Sequence, residues 1–210
     1  MQALKKVAAL AACVCVLGAG SALAAEAARA VNIASPLDEV QASAEVMQAP
    51  TMYVTRGEIV AIEDGRYVVK GEGSRQLVAA EVNSSTYVVD GVTGKLRFPT
   101  ALKVGTKVTA YYSSRMTRSL PGQSQAYAMI IGEPGEKAAS YFEVAQATLA
   151  ADGSYMTVLN SNNDLIATVD VNACPDFAKI KKGDKLLLWS SFATMSLPAQ
   201  TNAEKVVILP

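Results

Sequence analysis

The chain has 210 residues with 19 basic and 19 acidic side chains, no histidine and three cysteines. This balance excludes the strongly basic surface that nucleic-acid binding needs. The absence of histidine excludes Ser-His-Asp and Cys-His catalysis and His-ligated zinc or copper. We therefore expect a protein that is not an enzyme and that carries no metal and no cofactor.

Residues 1–24 have the three parts of an export signal. Lys5 and Lys6 are a positive n-region, Val7 to Leu17 are apolar, and Ala22-Leu23-Ala24 is a small-x-small cleavage site. Cleavage after Ala24 predicts a secreted, periplasmic or cell-envelope protein. The apolar run is broken by glycines and is shorter than the ~20 residues that a membrane span needs. We therefore expect no transmembrane span in the mature chain.

Loss of the signal would change the cysteine and charge counts. Cys13 and Cys15 would leave with it, so Cys174 has no intramolecular partner and no disulfide is predicted. Loss of two lysines leaves two more acidic than basic residues. The alternative is a lipoprotein, because Leu10-Ala11-Ala12-Cys13 resembles a lipobox with Cys13 as the lipidated residue.

Residues 25–50 are rich in Ala, Glu, Gln, Ser and Val. A short helix from Pro36 to Val46 is predicted, with Ser35 as its N-cap. Because an isolated helix of this length is marginal in water, the alternative is a mobile spacer.

From residue 51 onward the pattern changes to β-branched runs separated by turns. Asp64-Gly65, between two such runs, is a strong hairpin signal. The five predicted strands are Tyr53 to Ile62, Tyr67 to Lys70, Gln76 to Val82, Lys107 to Tyr112 and Gln125 to Ile131. A long irregular connection separates the third strand from the fourth.

One segment occurs twice. Ser113 to Gln123 recurs as Ser190 to Gln200, 77 positions further on, with Ser-Ser, Ser-Leu-Pro and Gln preserved. Asp152-Gly153 likewise repeats the first hairpin turn. A repeat of this kind predicts two homologous modules. We assign residues 51–132 to the first, 133–140 to a linker and 141–210 to the second.

Five short strands with a long third connection are typical of the OB-fold, a small barrel. The sequence therefore predicts an all-β protein of two tandem five-stranded OB-like barrels, with one β-sandwich of all the strands as the alternative. In each module a glycine precedes strand four and an aromatic residue ends it. The interval from Gly105 to Tyr112 is one residue longer than that from Gly183 to Trp189, which predicts a β-bulge in this interval. Leu186 to Trp189 is apolar on both faces, so we expect its outer face to pack on the first barrel or on a partner.

The repeated segment would be the loop between strands four and five, which borders the usual ligand face of OB-folds. Hydroxyls, amides and an aromatic side chain suit a sugar or an extended peptide. The candidate ligand-binding residues are Tyr112, Ser113, Thr117, Ser119, Gln123, Trp189, Ser190, Thr194, Ser196 and Gln200. The alternative is structural: the hydroxyls satisfy the loop's own backbone, and Leu-Pro plugs the barrel end.

Tyr111 to Ala126 also carries a resemblance. Its Tyr-Tyr strand and its Met-Thr-x-Ser-x-Pro-x-Gln run resemble secreted bacterial proteins labelled as carrying a copper-amine-oxidase-like N-terminal domain. The resemblance covers about residues 52–131 and implies an extracytoplasmic, envelope-associated module. It implies no oxidase activity, since copper-ligating histidines are absent. The second proline of the related motif is Gly122 or Ala199 here.

Three functions follow in order of preference. The first is a non-catalytic binding or adaptor module of the envelope, whose partner is an envelope polymer or protein. The second is a structural or assembly protein that self-associates or binds another protein through an apolar strand. The third is a glycoside hydrolase that uses two carboxylates. Its candidate acids are Glu58, Glu63, Asp64, Asp152 and Asp170.

Overall fold

The computed structural model describes residues 50–73, 76–133 and 138–210. The signal segment, the spacer and the helix expected at Pro36 lie outside these residues. The described chain is almost entirely β, with two single-turn 3₁₀ helices at Pro99–Ala101 and Phe177–Lys179. The expected fold of two tandem OB-like barrels is confirmed. Each of the two sheets encloses an apolar core of its own in the described chain, so the strands do not pool into a single sandwich.

The first barrel contains six strands, five of which close a ring. Each strand of the ring pairs with the next in the order β1, β2, β3, β6, β5 and back to β1. The β3–β6 pair is parallel and the other four are antiparallel, while β4 extends the sheet parallel to β6. The bounds are β1 Met52–Glu63, β2 Arg66–Gly71, β3 Leu77–Glu81, β4 Tyr87–Asp90, β5 Lys107–Ser113 and β6 Gly122–Ile131.

The second sheet repeats this plan and is curled. Its order is β11, β9, β8, β7, β10, β12, so β11 and β12 lie at opposite edges. Only residues 203–204 separate these two strands in the chain, and together they correspond to β6. The bounds are β7 Ser140–Leu149, β8 Tyr155–Asn160, β9 Leu165–Asp170, β10 Lys185–Trp189, β11 Ala199–Asn202 and β12 Lys205–Ile208.

The two modules share local detail that supports a duplication. The register of β1 shifts after Ile59, and that of β7 shifts after Val144. In each module the carbonyl before the shift accepts a 2.8 Å hydrogen bond from a glycine N–H, that of Gly105 or Gly183. Both glycines have a φ near +88°, a left-handed conformation that favours glycine.

A third apolar core joins the two barrels. Leu186 and Leu188 point into the second barrel, whereas Leu187 and Trp189 point out of it. This outer pair packs with residues of the first barrel that include Tyr111. Since successive side chains on a strand alternate between faces, β10 is buried on both sides. The expected packing of the apolar strand on the first barrel is confirmed.

The register corrects one detail of the repeat. Tyr111 pairs with Ala128 and Trp189 pairs with Lys205, and both aromatic rings lie in the core between the barrels. The counterpart of Trp189 is therefore Tyr111, not Tyr112 as the motif suggests. The β5–β6 register shifts between Tyr111 and Tyr112, so the extra residue lies on β6 and is Tyr127. The expected bulge thus occurs at the end of the interval from Gly105 to Tyr112, and its extra residue lies on β6 rather than on β5.

Candidate functional site

The repeated segments form loop A (residues 114–121, between β5 and β6) and loop B (residues 190–198, between β10 and β11). In loop A the backbone of Thr117 donates to Gln123 O, and Gln123 N–H donates to Thr117 Oγ1, both at 2.9 Å. The Thr117 and Ser119 hydroxyls are 2.7 Å apart, and Ser119 Oγ donates to Pro121 O at 2.8 Å. The loop is therefore held by its own hydroxyls.

Loop B has the same four hydrogen bonds. Thr194 N–H donates to Gln200 O at 2.9 Å, and Gln200 N–H donates to Thr194 Oγ1 at 2.8 Å. The Thr194 and Ser196 hydroxyls are 2.7 Å apart, and Ser196 Oγ donates to Pro198 O at 2.8 Å. The Leu–Pro peptide bond of each loop is cis.

These bonds determine which hydroxyl donates. Ser119 has one hydroxyl hydrogen, which goes to Pro121 O, so Thr117 must donate to Ser119. The same reasoning makes Thr194 the donor to Ser196. All four hydroxyl hydrogens are therefore used within the loops. This supports the structural interpretation for these four candidate residues, and a ligand role for them stays a prediction.

Two buried hydroxyls anchor the loops from below. Ser124 Oγ lies 2.7 Å from Ser113 O and 3.1 Å from Arg115 O. Thr201 Oγ1 donates to Phe192 O in the second module. Ser124 and Thr201 were not among the predicted site residues, although both are hydroxyl residues directly after the repeated glutamine. Their shared position after this glutamine was the sequence signal that could have identified them.

The leucines of the two loops do not fill the barrels. Leu120 is 100% exposed and Leu197 is 73% exposed, so the expectation that Leu-Pro plugs the barrel end is wrong for the leucine side chains. The backbone hydrogen bonds of each loop already fix its shape, and the leucine projects outward from it. The prolines are half-buried.

The outward residues of the two loops differ in chemistry. Loop A exposes Arg115 and Arg118 beside Leu120. At the same positions loop B has Phe192, Met195 and Leu197, exposed by 72%, 106% and 73%. Neither segment contains an acidic residue between its first serine and its glutamine. One hydrogen-bonded framework thus presents a cationic tip in one module and an apolar tip in the other.

The two candidate aromatic residues lie away from the loop surfaces. Tyr112 is inside the first barrel, where its hydroxyl is 2.9 Å from Thr55 Oγ1. Trp189 is in the core between the barrels. Among the other candidates, Ser113, Gln123 and Ser190 are half-buried and Gln200 is exposed. The structure therefore groups the candidates by loop and does not bring the ten together.

A cleft of about 590 Å³ lies at the base of loop A. Of the candidate residues only Ser113 lines it. The bulge residue Tyr127 also lines it. Since Ser113 is the last residue of β5 and Tyr127 lies on β6, the cleft is located where these two strands separate. The complete lining is Pro50, Thr51, Ser113, Ser114, Arg115, Gln125 and Tyr127.

The hairpin at residues 160–164 connects this region to loop B. Asn162 Oδ1 accepts from the N–H groups of Thr51 and Met52 at 3.0 and 3.1 Å, and Asn162 Nδ2 donates to Met52 O at 3.0 Å. Ser114 N–H donates to Thr51 O on one side, and Ala199 N–H donates to Asp164 O on the other. The hairpin is therefore a clamp between the barrels.

Two of the acidic candidates, Asp152 and Asp170, do not have the environment of a general acid, which needs a raised pKa. The hydroxyl of Ser154 lowers the pKa of Asp152, and the backbone N–H of Ala173 lowers that of Asp170. Within the described ranges, no group of three or more Asp, Glu or Cys side chains is placed to hold a metal ion.

No protein-family model matches the chain, and no curated protein matches it. The resemblance in Tyr111 to Ala126 therefore stays a prediction. Among the residues that the structure describes, no helix has the length and apolar character needed to cross a membrane.

Proposed function

We propose that this protein is an exported, non-catalytic binding or adaptor module of the cell envelope, with its ligand contacts at loops A and B. The supporting observation is the doubled hydrogen-bond framework with solvent-exposed, divergent side chains at its tips. Export rests on the signal at residues 1–24.

The fully exposed tips support binding over a purely structural role. A loop that only closes a barrel is expected to turn its large apolar side chains inward, because burying such a side chain stabilises a protein by ~1.5–3 kcal/mol. Met195 and Leu120 instead lie entirely in solvent. Exposed apolar groups of this kind, held on a rigid backbone, are typical of interaction surfaces.

The ligand on this proposal is an extended polymer, either a glycan or a peptide. The clamp at Asn162 links the base of loop A to the end of loop B through direct hydrogen bonds. Two linked contacts on one polymer raise the overall affinity above that of either contact alone.

The test is co-sedimentation of the chain from Ala25 onward with purified cell-wall polymer. Three variants are compared with it: Arg115→Ser with Arg118→Ser and Leu120→Ser in loop A, Phe192→Ser with Met195→Ser and Leu197→Ser in loop B, and both sets together. The control is Val92→Ser with Phe98→Ser, which removes exposed apolar residues outside the loops. We expect the combined variant to lose sedimentation while the control keeps it. Equal sedimentation of all folded variants would rule out loops A and B as the polymer-binding site.

The second candidate is an assembly protein with a protein interface. The outer face of β10, first assigned to that interface, is occupied by the first barrel. The apolar tip of loop B, with Phe192, Met195 and Leu197, is the remaining surface that favours this function. Sedimentation equilibrium distinguishes it: self-association abolished by the loop B variant and unaffected by the loop A variant would support assembly over polymer binding.

A further inference from the structure

The cleft at the base of loop A contains one cationic side chain and no acidic one. The guanidinium of Arg115 forms no ion pair or hydrogen bond within the described chain. Its backbone is held in place, since its N–H donates to Ser113 Oγ and its carbonyl accepts from Ser124 Oγ, both at 3.1 Å. A guanidinium in a fork geometry binds carboxylates through two parallel hydrogen bonds. The charge of this cleft therefore favours an anionic ligand.

The cleft hydroxyls differ from those of the loop framework. Ser113 Oγ accepts a hydrogen bond from Arg115, so its own hydrogen stays available to a ligand. Ser114 contributes a second hydroxyl, whose side chain forms no hydrogen bond with the residues described here. By contrast, the hydroxyl hydrogens of Thr117 and Ser119 are both used.

Other lining groups are held in place by neighbours outside the cleft. Gln125 Nε2 donates to Ser85 Oγ at 3.1 Å, and Thr51 is held by Asn162. The bulge at Tyr127 brings a partly buried aromatic ring to the wall. An aromatic plate, one fixed amide and free hydroxyls are groups that suit the faces and hydroxyls of a sugar ring.

We propose that this cleft binds a carboxylate-bearing glycan, with Arg115 pairing with the carboxylate and the hydroxyls of Ser113 and Ser114 with the sugar. This rests on the proposed binding function and specifies its ligand class. A glycan fits better than an acidic peptide because the lining offers mainly side-chain hydroxyls and an amide. A peptide that binds as an added strand would instead need an unpaired strand edge.

The test compares polygalacturonate, whose carboxyl groups are ionised, with its fully methyl-esterified form, whose carboxyl groups carry no charge. Poly-glutamate is the third probe and represents an acidic peptide. Binding to the chain from Ala25 onward is measured by affinity electrophoresis. We expect polygalacturonate to bind at least ~10-fold more tightly than the ester, since a charge-assisted bidentate pair is lost with the ester. Arg115→Gln should weaken polygalacturonate binding about 10-fold. Arg56→Gln is the matched control, because it removes the same charge from an exposed position on β1 that lies outside the cleft and outside both loops, and it should change binding less than about twofold.

Three results would overturn the inference. Equal losses in the two arginine variants would indicate nonspecific electrostatic attraction. Equal binding of the ester would remove the role of the carboxylate. Binding of poly-glutamate without binding of polygalacturonate would make an acidic peptide the occupant. In each case the proposed function would still hold if the chain sediments with cell-wall polymer and the loop variants do not.

Discussion

The indole N–H of Trp189 donates a 3.1 Å hydrogen bond to the carbonyl oxygen of Gly91, and so β10 of the second barrel is tied to the turn after β4 of the first. Lys205 Nζ lies 4.4 Å from the centroid of the same ring and donates to Thr93 O. The junction between the barrels thus combines packing, a hydrogen bond and a cation–π contact at one side chain.

Replacing this side chain tests how strongly the barrels depend on each other. Trp189→Ala should lower the free energy of unfolding by about 3–5 kcal/mol, because it leaves a large cavity in the shared core. Trp189→Phe keeps much of the packing and should cost about 1–2 kcal/mol for the lost hydrogen bond. Urea unfolding followed by circular dichroism measures both. A loss below ~1 kcal/mol in the alanine variant would mean that the barrels are stable independently.

Gly94 faces the same ring. A Cβ added there would lie 2.7 Å from Trp189 Cη2, and the φ of Gly94 is +74°. Gly153 is the matched control, since its φ is +72° and a Cβ there would meet nothing within 4 Å. Gly94→Ala should therefore destabilise the protein by about 1–3 kcal/mol more than Gly153→Ala, because only Gly94 adds overpacking to backbone strain. Equal unfolding midpoints in urea would show that the ring moves aside at no cost.

Asp90 makes this junction sensitive to acid. The backbone N–H of Thr93 and then the guanidinium of Arg97 lower the pKa of Asp90 from 3.8 to about 2. Because the folded pKa is the lower one, the stabilisation is present above about pH 4 and is lost as the pH falls toward 2. Asp90→Asn should be less stable than the native chain by about 1–2 kcal/mol at pH 6, and the difference should shrink near pH 2. Urea unfolding at both pH values checks this; a constant difference would contradict it.

Tyr141 lies in the core between the barrels with a hydroxyl that has no hydrogen-bond partner among the described residues. Burial raises the pKa of this phenol. Tyr141→Phe should leave stability unchanged or raise it by ~1–2 kcal/mol, since an unsatisfied polar group is removed. Tyr112→Phe is the contrasting variant: it breaks the bond to Thr55 and should lower stability by about 1 kcal/mol. Thermal unfolding measures both. The unfolding temperature should stay the same or rise in Tyr141→Phe, and it should fall in Tyr112→Phe.

Asn162→Ala tests the clamp. The amide protons of Thr51 and Met52 both donate to Asn162 Oδ1, so their hydrogen exchange should accelerate by at least ~10-fold in the variant. Asn202→Ala, at an exposed position on β11, is the control and should leave these protons unchanged. Unchanged exchange in Asn162→Ala would show that other contacts hold the start of β1.

Local patterns predicted the barrels well because hairpins and strand faces are set by neighbouring residues. Asp64-Gly65 and its repeat mark real turns, with Asp64, Gly65 and Gly153 at positive φ. The apolar run of β10 was interpreted correctly because a strand buried on both faces has no polar alternation.

Contacts between modules could not be predicted in the same way. Asn162 contacts Thr51 across more than 100 residues, and no local pattern reports that distance. A shift of one residue turns a strand's side chains to the opposite face, which is why Tyr112 was mistaken for the counterpart of Trp189. The direction of Leu120 was missed because a Leu-Pro pair is compatible with either side of a loop.

In loops A and B the side chains that hold the backbone are different from those that have changed in chemistry between the two copies. Thr117 and Ser119 recur unchanged at 194 and 196, whereas the residues at 115 and 118 have changed class at 192 and 195. Such a division allows a recognition surface to be rewritten without redesigning its support. A library randomised at Arg115, Arg118, Phe192 and Met195 would keep every framework hydrogen bond, and it would turn this chain into a two-loop scaffold for selecting new binders.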